Sequence, residues 1–159
     1  MDKTNVARIF DAKKIEYKYY VFSCPPNANG IDVAAIVGKD PKCVFKTLVT
    51  TGKTLKNYVF VIPVAEELDL KKAAASVGEK SVEMLKQKDL LPTTGYVHGG
   101  CSPVGMKKFF KTVIDASADT LPTITYSAGR IGFQVETTLA ELAKSIRFST
   151  ADLIKNART

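Results

Sequence analysis

The stretch from Gly95 to Lys108 holds four glycines, one proline, the only histidine of the chain and two adjacent lysines. Helices and strands tolerate that density of glycine and proline badly, so the chain has to form a tight loop here. Gly99 and Gly100 allow positive φ and a close backbone approach to a neighbour or a ligand. Pro103 fixes its own φ and offers no N–H. The amides of Gly99, Gly100, Cys101 and Ser102 can then converge on an oxyanion or a phosphate, as in an anion-binding nest. The plainer reading is a turn between two strands, which is what short glycine pairs usually make.

A second stretch, Val44 to Val49, reads as an apolar strand interrupted by Lys46 and preceded by Pro41. Alternation commits Lys46 to one face. On a solvated face it is an ordinary strand lysine. In a pocket its cation can hold an ester oxygen, a ribose hydroxyl or a terminal phosphate. Thr47 beside it can donate or accept one hydrogen bond. Past the loop, Lys107, Lys108 and Lys111 interleave with Phe109 and Phe110. A solvated basic face is the default, and beside the loop the cluster is also placed to receive an RNA backbone.

The ordered set of stretches resembles the YbaK/EbsC family. It comprises Val44–Val49, Leu68–Lys72, Gly95-Tyr96, Gly99–Pro103 and Gly105–Lys108. The family's members are free-standing homologues of the editing domain inserted in bacterial prolyl-tRNA synthetases. The resemblance runs from about Asn5 to about Ile154 and implies a trans-acting aminoacyl-tRNA deacylase. Cysteine on proline tRNA is its leading substrate, released when the substrate's own thiol attacks the ester. Whether that makes a hydrolase or a lyase depends on this step. The resemblance assigns Lys46, Gly99 and Gly100 to catalysis. It assigns Tyr20, Thr47, Cys101, Ser102, Pro103 and Gln134 to the substrate, and it implies neither a cofactor nor a metal. Gln134 and the loop near Asn29 depart from the family pattern. Several members related to cysteinyl-tRNA deacylase carry an aspartate at the first, and relatives often carry an aromatic residue at the second, so the amino-acid preference is left open. Glu136 remains available as an acid, or as a salt-bridged strand residue. A deacylase for alanine or another small amino acid using an ordered water, and a binding module that holds a tRNA end or another nucleotide without turnover, are the alternatives. Partnership with prolyl-tRNA synthetase is implied at family level.

Composition fits that picture. Twenty-three basic residues against sixteen acidic give a net charge of +7, which favours a polyanionic partner. Cys24, Cys43 and Cys101 have no paired spacing and read as free thiols in a reducing compartment. With one histidine and no Cys-x-x-Cys, a zinc site is not expected. His98 is the only histidine a Ser-His-acid triad has to draw on, and Ser102 and Cys101 read more simply as a turn hydroxyl and a packing residue. The longest apolar runs are too short to span a bilayer and no apolar signal region opens the chain, so a cytoplasmic protein is expected.

At 159 residues the chain suits one domain, taken as 1–159. Helix signals place a cap at Thr4 or Asn5 with a helix through Lys14, and a short helix from Asp32 to Gly38. A third runs from Asp69 to Val77 and stops at Gly78. A helical turn is expected near Leu85–Lys88. A capping box at Thr138–Glu141 opens a helix to Ile146, and Ser149 or Thr150 caps a last helix over Ala151–Asn156. Strands are expected at Glu16–Phe22, Val44–Thr50, Tyr58–Val64, Ser81–Met84, Lys111–Asp115, Thr123–Ser127 and Ile131–Glu136. This irregular mixture predicts a single α+β domain, with a mixed, partly barrel-like β-sheet flanked by helices.

Overall fold

Thr4 accepts the Ala7 amide through its hydroxyl and starts α1 (Asn5–Ala12), which buries Val6, Ala7 and Phe10 along one face. The computed structural model describes residues 2–155. β2 (Phe45–Gly52) and β3 (Asn57–Pro63), rich in β-branched and aromatic residues, form an antiparallel hairpin in register from Phe45–Pro63 to Thr51–Asn57. Its turn is held by Glu79, whose carboxylate accepts the Tyr58 hydroxyl at 2.6 Å, the Thr54 amide at 3.2 Å and the Thr54 hydroxyl. β4 (Val82–Met84) pairs with β2 on one side. β5 (Lys111–Asp115) runs parallel to β3, and β8 (Ser149–Ala151) runs parallel to β5, giving the order β4-β2-β3-β5-β8.

A second, antiparallel sheet has the order β1-β7-β6, with β1 at Lys18–Val21, β7 at Phe133–Thr137 and β6 at Ile124–Ser127. A parallel bridge between Val44 and Thr125 links it to the larger sheet. The fold is α+β with two open sheets and no closed barrel. The main core gathers one face of each sheet, with Val49 and Val61 from the larger and Tyr126 and Val135 from the smaller, closed by Phe10 of α1. The opposite face of the larger sheet lies under α3 (Leu70–Val77), where Ala73, Ala74 and Val77 pack on Phe60 and Ile62. Asp69 caps α3 by accepting the Lys71 and Lys72 amides, and Gly78 ends it at φ +75°.

α2 (Gly30–Ile36) covers the junction of the two sheets. Asn29 and Asp32 form a reciprocal capping box at its start. Its Ala34 packs with Val44 and Val64. Gly30 permits the approach, since a Cβ there would lie 2.5 Å from Val64 Cγ1. The helix ends in a Schellman motif: Gly38, at φ +71°, donates to the Ala35 carbonyl and Lys39 donates to the Ala34 carbonyl.

Four local expectations are corrected. The last helix does not form. Residues 149–151 complete the open edge of β5, and the Asp115 carboxylate accepts the Leu153 amide at 2.9 Å; Asn156 lies outside the described residues. The turn near Leu85–Lys88 is instead a helix, α4 (Gln87–Thr94), that continues through Pro92. Pro92 has no N–H for the preceding turn, and the end is rebuilt by Thr94 Oγ1 donating to Leu90 O and Gly95 N donating to Leu91 O. α5 stops at Leu142 (Leu139–Leu142) rather than Ile146. Its capping box is half formed: Thr138 accepts the Glu141 amide, but the Glu141 carboxylate accepts the Glu16 amide at 2.7 Å instead of closing back on Thr138. Among the described residues no helix is long and apolar enough to cross a membrane.

Gly30→Ala is expected to lower unfolding stability by about 1–3 kcal/mol, the usual scale of an overpacked contact. Urea denaturation measures it, and an unchanged midpoint would show that α2 is not held as tightly against Val64 as the geometry requires.

Candidate functional site

In the smaller sheet β6 and β7 are buried on both faces, but only one face is apolar. Val135 and Tyr126 point into the core. Alternation turns Gln134 and Glu136 of β7 the other way. The register sets Tyr20 beside Gln134 on one side, with Ser127 beside Gln134 and Thr125 beside Glu136 on the other. Thr125, Ser127, Gln134 and Glu136 are all buried. A buried polar face is costly unless its groups are bonded. Most are: Glu136 accepts the Tyr20 hydroxyl at 2.5 Å and Lys39 Nζ at 2.9 Å on Oε1, and the Thr123 hydroxyl at 2.5 Å on Oε2. Ser127 Oγ donates to Gly100 O and accepts the Gly129 amide, both at 3.0 Å. Gln134 is the exception, because its Oε1 is buried without a hydrogen-bond partner.

Lys46 belongs to the same face. The Val44–Thr125 bridge lays β2 alongside β6. Two residues further along each strand, Lys46 and Ser127 keep the orientation of the bridged pair. Lys46 is half-buried, and among the described residues its ammonium has no hydrogen-bond or ion-pair partner. Burial pushes its pKa below the ordinary lysine value, and the charges of Glu67 and Glu66 offset part of that. Thr47 alternates to the opposite face with Phe45 and Val49, where its hydroxyl is buried and unpartnered.

The glycine-rich loop reaches this row through Gly100. A Cβ on Gly100 would meet the Arg130 and Ile131 backbone at 3.3 Å, so the loop lies tightly against the β6–β7 turn and a side chain here would push that backbone back. Gly99 sits at φ +88° and is exposed. The Gly100 amide is spent within the loop, donating to Val97 O at 3.0 Å, and its carbonyl is fastened by Ser127. It therefore gives no donor to an oxyanion. The amides of Gly99, Cys101 and Ser102 make no hydrogen bond to another described residue. Burial pushes the Cys101 thiol up to about 12, which leaves no thiolate for nucleophilic chemistry. Ser102 is fully buried and accepts the Val104 amide, Pro103 is buried beside it, and His98 is exposed.

The basic cluster divides. Lys107 lies over Gly95 and donates to Pro92 O at 3.3 Å. Lys108 and Lys111 join Lys56, Tyr58 and exposed Phe109 in a groove of about 580 Å³. Lys111 pairs in register near Tyr58, whereas Lys46 pairs with Ile62, about 13 Å further along β3 at the usual strand rise. The groove is thus at the hairpin end of the larger sheet and Lys46 at the other. Four residues of the polar face were not singled out from sequence as substrate contacts: Lys39, Thr123, Ser127 and Glu136. Glu136 was legible in part, since it lies two positions beyond Gln134 and shares its face. Lys39 follows a helix-ending glycine and carries no periodic signal. No three His, Cys, Asp or Glu side chains gather as a metal site among the described residues.

Burial alone would raise the Glu136 pKa; hydrogen bonds from Thr123, Tyr20 and Lys39 outweigh it and hold the carboxyl at about 2, against an ordinary 4.5. The resulting stabilisation is complete above pH 4.5 and is lost as pH falls from there towards 2. Glu136→Gln is expected to flatten the acid limb of the stability curve across that window, followed by urea midpoints. An unaltered slope would mean that other carboxylates carry the acid dependence.

Comparison with known proteins adds the lineage. The aminoacyl-tRNA editing domain family matches residues 24–156. A protein of Enterococcus faecalis (strain ATCC 700802 / V583), named "Putative Cys-tRNA(Pro)/Cys-tRNA(Cys) deacylase EbsC", is 46% identical over 135 residues, 84% of this chain and 82% of that protein. Among solved structures, hypothetical protein APE2540 superposes with a TM-score of 0.86 at 21% identity, covering 96% of this chain and 100% of the other. The crystal structure of "a putative trans-editing enzyme for prolyl tRNA synthetase" gives 0.80 at 21% identity, covering 98% and 100%. These structural likenesses establish the same fold. With the polar sheet face, Lys46 and the glycine-rich loop assembled at one junction, the chain belongs to the aminoacyl-tRNA editing domain family.

Proposed function

We propose that this protein removes a wrongly attached amino acid from tRNA in trans, with cysteine on proline tRNA as the leading substrate. The observation that carries the reading is the pairing of two unsatisfied groups on one buried face: the unpartnered Lys46 ammonium and the unpartnered Gln134 amide oxygen. The first suits an ester or ribose oxygen, and the second suits a donor such as a ribose hydroxyl or an amine. The substrate named for the EbsC relative supports the assignment of cysteine.

The chemistry follows from what the site lacks. Cys101 is protonated in the core, Ser102 serves a turn, and no described base stands beside either. The resemblance to cysteine-specific deacylases implies that the nucleophile is the substrate's own thiol, with an ordered water as the alternative. The thiol sulfur forms a bond to its own ester carbon, the bond from that carbon to the ribose oxygen breaks, and the proton lost from the thiol ends on the departing ribose oxygen. Lys46 stabilises the charge gathering on the carbonyl oxygen, with the Gly99, Cys101 and Ser102 amides as further donors. Tyr20 forms one wall. Lys108 and Lys111, with Lys56, offer a track for tRNA phosphates beyond the site. Prolyl-tRNA synthetase is the proposed supplier of the charged tRNA, in the cytoplasm where the tRNA is charged.

Lys46→Ala is expected to lower kcat/KM for Cys-tRNA(Pro) by roughly a hundredfold to a thousandfold, the usual loss when one stabiliser of a developing oxyanion is removed. The assay sets Cys-tRNA(Pro), Ala-tRNA(Pro) and Pro-tRNA(Pro) side by side. Loss of only the alanyl species would move the assignment to a water-using deacylase. Salt-sensitive tRNA binding with no turnover of any species would leave a binding module.

A further inference from the structure

The Lys39–Glu136 pair is unevenly anchored. Glu136 is fixed in mid-strand, its side chain is 7% exposed, and Tyr20 and Thr123 hold both of its oxygens. Lys39 stands on the loop after α2 with its side chain 28% exposed. Its backbone is locked by the Schellman motif, but its ammonium is held by Glu136 Oε1 at 2.9 Å and by the neighbouring Tyr20 hydroxyl, with the Tyr20 ring 5.8 Å away. The anion is therefore the fixed member and the cation the movable one. Lys39 can withdraw to water while the carboxylate keeps both hydroxyl donors. A buried carboxylate left without a cation is costly, so only another cation replaces Lys39 without penalty.

What surrounds the carboxylate indicates which cation. Gln134 lies two residues away on the same face, roughly 7 Å along the strand, and its buried Oε1 awaits a donor. Lys46 shares that face. A ligand that satisfies all three carries an ammonium group, a hydrogen-bond donor and an oxygen to be held by a cation, within a few ångströms of one another. An aminoacyl ester of a ribose, with its α-amino group free, has this arrangement.

We propose that the Lys39 ammonium is a displaceable placeholder on Glu136 for the α-ammonium of the aminoacyl ester. This rests on the editing reading. Lys39 then competes with the substrate, and makes the empty site stable at the expense of affinity. It also makes the site selective for a free amine, because an amino acid with a blocked nitrogen has no charge with which to evict Lys39.

The test is calorimetric binding of 3′-cysteinylamino-3′-deoxyadenosine, whose amide resists deacylation, and of its Nα-acetyl form. The proteins are wild type, Lys39→Met, Lys39→Gln, Lys39→Arg and Glu136→Gln, with thermal melts to confirm folding. Removing the Lys39 charge is expected to tighten the free amine roughly fivefold, the scale of a partly exposed ion pair, and to leave the acetyl form unchanged. Lys39→Arg keeps the pair and does not tighten it, while Glu136→Gln brings the two forms to equal affinity. Weaker binding of both forms by Lys39→Met and Lys39→Gln would make Lys39 a direct contact to the ligand and overturn the proposal. So would undetectable binding, or no change in either form. Failure of the editing reading has a separate signature: wild-type protein that binds the free amine but deacylates no charged tRNA.

Discussion

Val44 and Thr125 meet in a parallel bridge, and the polar face of the candidate site is continuous because they do. A bridge sets two strands side by side with their pleats in step. Through this one the outward row of the small sheet, Tyr20, Gln134 and Ser127, runs on to Lys46 of the large sheet. Every packed layer nearby supports the junction. Ala34 of α2 presses on Val44 and Val64 from outside, and the main core fills the inside. Gly30 matters for the same reason as Val44, since it sets how closely the outer layer can lie.

The site's electrostatics combine one fully bonded charge with one unpaired charge. Glu136 is fully coordinated and stays ionised down to about pH 2, although it is buried. Lys46 is half-buried with only the diffuse influence of Glu66 and Glu67. An isolated cation in such a place is unfavourable until an anionic or polar group arrives, which is how a binding site stores part of its affinity. The chain's net charge of +7 gives no hint of this division. It describes the surface, including the groove of Lys56, Lys108 and Lys111, and says nothing about which cation stands unpaired on the polar face.

Much of the local structure was legible. Thr4, Asp69 and Gly78 cap their helices for the reasons their side chains suggest, and the Phe45–Gly52 and Asn57–Pro63 hairpin follows from β-branched composition. Two of the misses share one cause, which is competition from distant chain. Ser149 and Thr150 look like helix caps, but the unpaired edge of β5 offers them a ladder instead. Glu141 looks like the closing half of a capping box, but the Glu16 amide, far away in sequence, claims its carboxylate. At the site, alternation placed Lys46 on one face but did not show which face was buried. The Gly99-Gly100 pair pointed to a close approach, but the surface approached includes the β6–β7 turn as well as any ligand. Lys39 had no signature, because a side chain that reaches across a helix end leaves no period to read.

Cys101 has one further consequence. Its sulfur is shut in the core beneath the loop and stays protonated at any physiological pH. A pocket that handles a reactive thiol risks a dead end if one of its own sulfurs can join the incoming one in a mixed disulfide. Such exchange requires a thiolate and an open line of attack, and Cys101 offers neither. For a cysteinyl substrate, the site is therefore chemically silent towards sulfur at this position. On the proposed mechanism, that would keep the substrate's thiol free to react with its own ester and leave the protein unmodified after each turnover.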